Sequence, residues 1–174
     1  MKTYTKTQKR IHWLTLVLLI LVYITIEFRS EFERGSSNRF LMVQAHFWLG
    51  LMVLALVLPR IWQRTKHGTP PITPELPRWQ ALASKALHLS IYAVLIFQPI
   101  LGLLTAWTDG KVLMLPLTSI EIPALLSKSE LWAHRFEDVH KLVATAFYYL
   151  IGIHVLAALW HHFGRKDDTL KRMI

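Results

Sequence analysis

His140 and His154 are the residues in this chain whose type and spacing are best suited to a chemical role. They lie fourteen residues apart in one apolar stretch. Because an α-helix turns about 100° per residue, both imidazoles would point to nearly the same side of one helix. The same spacing separates them by about 21 Å along the helix axis. In a bilayer about 30 Å thick, one imidazole would lie near each surface.

Two further histidines, His12 and His46, lie near the ends of two other apolar stretches. Imidazole is a common axial ligand of haem iron, and helix bundles hold cofactors between facing helices. Depth pairs His12 with His154 near one membrane surface and His46 with His140 near the other. The pattern therefore predicts two stacked b-type haems, with these four histidines as axial ligands of the iron and the last helix shared by both sites.

Small side chains accompany three of these histidines. The residue four positions after a helical histidine lies one turn away on the same face, where a porphyrin needs room. The residues at that spacing are Gly50, Ala144 and Ala158. Small residues also allow membrane helices to pack closely, so they support the haem interpretation and also suit simple helix packing.

Other histidines have more than one interpretation. His88 could relay protons, contact a quinone or a haem propionate, or replace His12 as a ligand. His161 follows His154 by seven residues and so lies on nearly the same face. It is either an interfacial polar residue or a proton donor at a quinone site, because imidazole titrates near physiological pH. His134, just before the last apolar stretch, is a candidate to face a propionate.

Four stretches without Asp, Glu, Lys or Arg position these histidines. They contain 16, 20, 23 and 23 residues: 11–26, 40–59, 86–108 and 142–164. About 20 apolar residues span a bilayer. The sequence therefore predicts an all-α integral membrane four-helix bundle, a single domain over residues 1–174 with helices at about 7–28, 40–62, 82–107 and 133–163. Pro59 and Pro99 are expected to kink or end their helices.

The charge distribution predicts the orientation. The net charge is +9. The terminal segments and the 60–85 loop carry 13 Lys and Arg against 3 Asp and Glu, whereas the other two loops with their helix ends carry 7 against 8. The positive-inside rule then places both termini in the cytoplasm. The basic tail, residues 165–172, is interpreted as topology control and contact with anionic lipid, and the charge does not indicate nucleic-acid binding.

The loops and the composition add three expectations. The chain contains no cysteine, which excludes an internal disulfide, iron–sulfur cluster or thiolate-bound haem. The four prolines of residues 69–77 predict a stiff connector. The second outer loop, 109–134, contains an apolar segment, 113–126, that is too short to span and is expected to lie in the interface or to cap the bundle.

The sequence resembles the prokaryotic cytochrome b561 family along essentially its whole length. The most specific match is the tail His161-His162-Phe163-Gly164-Arg165-Lys166-Asp167-Asp168-Thr169-Leu170-Lys171-Arg172-Met173. The other matching motifs are Arg10-Ile11-His12-Trp13-Leu14, Ala45-His46, Ala86-Leu87-His88, His140, Gly152-Ile153-His154 and Ala157-Ala158. The sequence does not depart from the family pattern at the four ligand positions.

The resemblance implies a di-haem b protein of the bacterial inner membrane that exchanges electrons with ubiquinone. Some members of the family resemble superoxide oxidases, which pass an electron from periplasmic superoxide to quinone. Basic residues near the periplasmic pair could steer such an anion or simply contact lipid and nearby acids; they are Arg29, Lys111, Arg135 and Lys141.

The function predicted is that of a superoxide:ubiquinone oxidoreductase. One alternative is a cytochrome b subunit that passes electrons within a larger quinone-linked complex, which would bring a redox partner subunit. Another is a haem-free transporter with a histidine-lined path for metal ions or protons. Such paths usually contain Asp or Glu inside the spans, and here only Glu27 comes close.

Overall fold

The fold is a bundle of four long helices in a computed structural model that describes residues 2–174. Helix α1 is Lys6–Phe28, α2 is Ser37–His67, α3 is Arg78–Asp109 and α4 is Glu130–Trp160. A short 3-10 turn, Arg29–Glu31, follows α1, and a π-helical turn, His161–Arg165, follows α4. All four helices are long and apolar enough to cross a membrane, which confirms the predicted four-helix membrane fold.

Local signals fix the helix ends. Thr5 begins α1 with a capping box: its hydroxyl accepts from the Gln8 amide, while the Gln8 side chain accepts from the Thr5 amide. Ser36 accepts from the Arg39 amide at the start of α2. Helix α3 ends at Gly110, whose φ of 73° lies in the left-handed region that glycine adopts readily.

The helices extend beyond the predicted spans because polar turns continue them. Helix α2 passes Pro59 and runs to His67, so this proline lies inside the helix and does not end it. Pro99 likewise lies inside α3. Arg60, Arg64 and Lys66 form the polar last turns of α2, which a search for charge-free stretches leaves out.

The bundle buries a small core and turns most apolar side chains outwards. The buried centre consists of Leu18, Val53, Val57, Leu95 and Phe147. By contrast, Leu58, Leu89 and Leu142 are each 71% exposed. An apolar outer surface of this size is what a lipid-facing protein needs.

The helices pack closely as α1 with α2 and α3 with α4, and α2 joins the two pairs. Side chains bridge the remaining seam between α1 and α4. The rings of Tyr23 and Tyr148 lie 4.1 Å apart between centroids, and the Tyr23 hydroxyl donates to the Ala144 carbonyl at 3.0 Å.

One end of the bundle, the hairpin side, comprises residues 27–40 and 106–134. Strands β1, Leu113–Met114, and β2, Glu121–Ile122, pair antiparallel there, a hairpin that the sequence did not predict. Helix α2 holds this hairpin: Gln44 donates to the Val112 carbonyl and accepts from the Met114 amide, and the Trp48 indole donates to the Met114 carbonyl. The apolar segment thus packs against the end of α2.

The opposite end, the terminal side, comprises residues 2–10, 64–80 and 160–174. Here the tail folds back over the bundle. The Thr73 amide donates to the Asp168 carboxylate at 3.0 Å, and the Arg172 guanidinium donates to the Pro70 carbonyl and lies 3.4 Å from Asp168. Arg172 is only 3% exposed. This part of the basic tail is therefore a packed cap, and the interpretation of the tail as lipid contact is wrong for Arg172.

Candidate functional site

On the hairpin side, α2 and α4 bring His46 and His140 together, with their ring planes at 80° to each other. Their ring centroids lie 6.3 Å apart. The His46 Nδ1 lies 3.1 Å from the Val22 carbonyl oxygen, and because a carbonyl only accepts, this nitrogen carries the proton and donates. The Nε2 lone pair of His46 is then free for a metal, in the arrangement typical of metal-ligating histidines.

A cavity of about 310 Å³ surrounds this pair. Gly50 and Ala144, two of the predicted small residues, line it, and so does Gly102. A Cβ added at Gly50 would meet nothing within 4 Å, whereas one at Gly102 would lie 3.2 Å from Cε1 of His140. Gly102 was not identified from the sequence as a site residue, because it lies on α3 and is remote in sequence from every histidine of the pair.

The geometry of this pair fits an iron ion between two imidazoles. Each metal–imidazole bond is about 2 Å long, so one iron would separate the ring centres by about 6 Å. The buried His140 Nδ1 has no hydrogen-bond partner within residues 2–174, which leaves that ring free of competing contacts. Gln98 fixes the backbone beside it by donating to the His140 carbonyl at 2.8 Å.

On the terminal side, three histidines converge. His154 of α4 lies 6.2 Å from His12 of α1 and 5.5 Å from His88 of α3, between ring centroids. The first distance fits one iron between two rings, as on the hairpin side, and the second is shorter. His88 Nδ1 donates to the Ser84 carbonyl at 2.7 Å. The structure therefore brings together the predicted pair and also the alternative ligand.

Arg60 enters the same cluster from α2. Its guanidinium donates to His12 Nδ1 at 3.1 Å and to the Thr15 hydroxyl at 3.3 Å. It also donates to the Tyr92 hydroxyl at 3.2 Å. The sequence analysis did not single out Arg60. Its position directly after a charge-free stretch of twenty residues was the only signal available.

Comparisons with known proteins show the family of this chain. A family model described as prokaryotic cytochrome b561 matches residues 3–174. The chain belongs to the prokaryotic cytochrome b561 family. It is 33% identical over 174 residues to cytochrome b561 homolog 1 of Escherichia coli K12. This match covers all of this chain and 98% of that relative. It is 32% identical over 173 residues to the Yersinia pestis protein named "Probable superoxide oxidase CybB", with 99% and 96% covered.

Membership of the cytochrome b561 family makes this chain a membrane electron-transfer protein and implies a b-type haem. Each end of the bundle has a pair of histidines that could hold such a group. Its four candidate spans and its family make it a bacterial membrane protein, surrounded by the lipid bilayer.

His161, another histidine considered in the sequence analysis, contacts the folded-back tail. Its Nδ1 lies 2.5 Å from the Asp167 carboxylate, and the Arg165 Nε donates to the same oxygen at 3.2 Å. Burial alone would raise the pKa of Asp167, but hydrogen bonds from His161 and Thr169 lower that pKa to about 2. Asp167 stays a carboxylate at neutral pH and fixes the His161 ring; the sequence reasoning did not identify it.

The mouth of the hairpin-side cavity is polar. Glu27, Arg29, Lys141 and Tyr148 line it. The Tyr148 hydroxyl donates to Glu27 at 3.3 Å, and Lys141 forms an ion pair with Glu137 at 2.8 Å. Among the four predicted basic residues, Arg29 and Lys141 therefore lie at the cavity, whereas Lys111 forms an ion pair with Asp109 at 2.8 Å.

Proposed function

We propose that this protein is a di-haem cytochrome b that oxidises superoxide and reduces ubiquinone. His46 and His140 would hold one haem, and His12 and His154 the other. The observation that carries this proposal is the presence of two histidine pairs, at 6.3 and 6.2 Å, on opposite sides of one bundle. Both pairs draw one member from α4, so a single rigid helix sets their separation.

The chain supplies ligands, orientation and an apolar interior, while the haems, when bound, supply one-electron redox chemistry. Hydrogen bonding to Val22 presents the Nε2 of His46 to the cavity. Gly50, Gly102 and Ala144 leave the space that a flat macrocycle needs beside the ligands. His88 and His161 are proposed to carry protons to ubiquinone or to contact it on the terminal side.

The overall reaction balances as one quinone reduced for two superoxide anions oxidised. Each superoxide gives up one electron and becomes O₂, and ubiquinone takes up two electrons and two protons to become ubiquinol. Arg29 and Lys141 at the cavity mouth support an anionic substrate, because positive charge at a cleft concentrates anions. The name of the Yersinia relative supports the same substrate.

We further propose that the terminal side faces the cytoplasm of a bacterial inner membrane and that the hairpin side faces the periplasm. The charge asymmetry supports this orientation, with 13 Lys and Arg against 3 acids in the terminal segments and the 60–85 loop. Periplasmic superoxide would then meet the cavity that opens on the hairpin side.

The test begins with haem stoichiometry. The reduced-minus-oxidised spectrum of the purified chain should show b haem at two per chain. His140→Ala and His154→Ala should each remove one haem, and a different one. His67→Ala is the matched control because His67 is exposed at the end of α2. A chain without haem, or with a haem content that both variants leave intact, would overturn the proposal.

The substrate is tested separately by rapid mixing. Superoxide should reduce the haem of the wild-type chain and yield ubiquinol when ubiquinone is present. Haem that is reduced by ubiquinol but never by superoxide would remove superoxide from the proposal. If partner subunits then co-purify with the chain and donate electrons, the chain is instead the cytochrome subunit of a larger complex.

A further inference from the structure

Arg60 places a positive charge near the end of the second candidate span, next to the terminal-side histidines. It is half-buried, and its contacts are with neutral groups: Thr15, Tyr92 and His12. Within residues 2–174, no carboxylate lies within ion-pair distance of it. Charges inside a membrane are costly and normally pair with an opposite charge. An anion bound at this site could therefore pair with Arg60 and stabilise its charge.

The hydrogen bond to His12 strengthens this argument. A guanidinium can only donate, so His12 Nδ1 must accept and the proton of the neutral ring lies on Nε2. His46 has the opposite arrangement, with Nδ1 donating to a carbonyl. If His12 is to bind iron through Nε2, its proton moves to Nδ1, and two donors would then face each other. Arg60 must in that case find a different acceptor.

Haem b carries an acceptor of the required kind, because its two propionate side chains are carboxylates. Arginine pairs with carboxylates through two parallel hydrogen bonds, and such pairs are stronger than neutral hydrogen bonds. Thr15 and Tyr92 would continue to hold the other guanidinium nitrogens.

We propose that Arg60 is a positioning residue that binds a propionate of the haem held by His12 and His154, and thereby raises the reduction potential of that haem. This inference rests on the proposed function. A positive charge near the iron favours the reduced form, whose charge is lower by one. The terminal-side haem would then be a better electron acceptor than the same haem without Arg60.

The test compares Arg60→Gln with Arg60→Lys in a His140→Ala background, where the terminal-side haem is the one that remains. The matched control is Arg64→Gln: Arg64 lies over the same Tyr92 ring, at 5.7 Å compared with 5.5 Å for Arg60, but makes no hydrogen bond to His12. Spectroscopic redox titration of the purified holoprotein gives the midpoint potential.

Arg60→Gln should shift the equilibrium constant for reduction about tenfold, which is about 59 mV for one electron, towards the oxidised form. Arg60→Lys should recover part of this shift, and Arg64→Gln, which removes a nearby charge but no bond to the propionate, should lower the potential much less than Arg60→Gln does. A potential that Arg60→Gln leaves unchanged, or that Arg64→Gln lowers equally, overturns the inference. A wild-type chain without haem refutes the proposed function instead.

A second measurement detects the propionate directly. It can still test the inference if Arg60→Gln cannot retain haem. Redox infrared difference spectra are recorded with haem labelled with ¹³C at the propionates. The label-sensitive carboxylate bands should shift in Arg60→Lys relative to the wild type and stay in place in Arg64→Gln. Bands identical in all three proteins would overturn the inference.

Discussion

The two histidine pairs have nearly the same spacing but very different surroundings. The hairpin-side pair faces a cavity lined by glycines, apolar side chains and a few charged ones, and His46 is already oriented by a backbone carbonyl. The terminal-side pair is crowded by His88 and by the charged Arg60. If both pairs hold haem as proposed, these different surroundings should give two centres of different potential.

The two sides also differ in how many histidines could hold the haem, and the largest expected effect tests this difference. His46→Ala should abolish the hairpin-side haem, because no other histidine ring pairs with His140 within the described chain. His12→Ala should leave part of the terminal-side haem, because His88 lies 5.5 Å from His154. Haem per protein and the reduced spectrum measure both. Complete loss of that haem in His12→Ala, with His88→Ala silent, would exclude His88 as a substitute ligand.

The next largest effect concerns the space beside His140. Gly102→Val should reduce or abolish haem on the hairpin side and leave the other haem intact, since even a Cβ there comes within 3.2 Å of the His140 ring. Overpacking of this kind costs about 1–3 kcal/mol. The matched control is Gly152→Ala, whose added Cβ meets nothing within 4 Å. Equal haem loss in both variants would refute this role for Gly102.

A smaller effect is expected at the terminal-side cap, where Asp167 is buried. Its pKa is lowered to about 2 from 3.8, with burial opposed by the hydrogen bonds from His161 and Thr169. The carboxylate therefore stabilises the fold fully above about pH 4, and this contribution is lost as the pH falls towards 2. Asp167→Asn should cost on the order of 2 kcal/mol at pH 7.

Unfolding of the holoprotein in detergent, followed at pH 7 and at the lowest pH it tolerates, measures this difference. The gap between wild type and Asp167→Asn should narrow at the acid end. Asp109→Asn is a useful control, because that carboxylate is exposed and forms a surface ion pair with Lys111. A gap that does not change with pH would contradict the assignment.

The smallest effect is expected at the hairpin. Trp48→Phe keeps an aromatic ring but removes the indole N–H that donates to the Met114 carbonyl. The loss should cost about 1 kcal/mol and loosen residues 109–130 without changing either haem. Hydrogen exchange of that segment should speed up in this variant. Unchanged exchange would mean that the contacts with Gln44 hold the hairpin by themselves.

The sequence predicts the four helices well, but it predicts the contacts between them only in part. Charge-free stretches reveal the four helices because lipid excludes charged side chains from a span. The fourteen-residue spacing places two histidines on one face of α4, because helical geometry is fixed. Depth then pairs His46 with His140, since all four helices cross the same layer, but it leaves both His12 and His88 as neighbours of His154.

Contacts between helices remote in sequence could not be predicted in this way. Gly102 lies against His140 only because α3 packs on α4, and no periodicity within α3 indicates this. The approach of Arg60 to His12 likewise depends on how α2 packs against α1. The β-hairpin consists of two-residue strands, too short for an alternating pattern to be visible.

The sequence by itself thus determined the membrane class, the number of helices and the four histidines at matching depths, because hydropathy and helical periodicity are local properties. The tertiary structure decided which small residues line a cavity, and which histidine Nδ1 donates and which accepts. It also placed Arg60 against His12, and the buried carboxylate of Asp167 against His161. These features depend on side chains from different helices meeting at distances of a few ångströms, and packing in three dimensions fixes those distances.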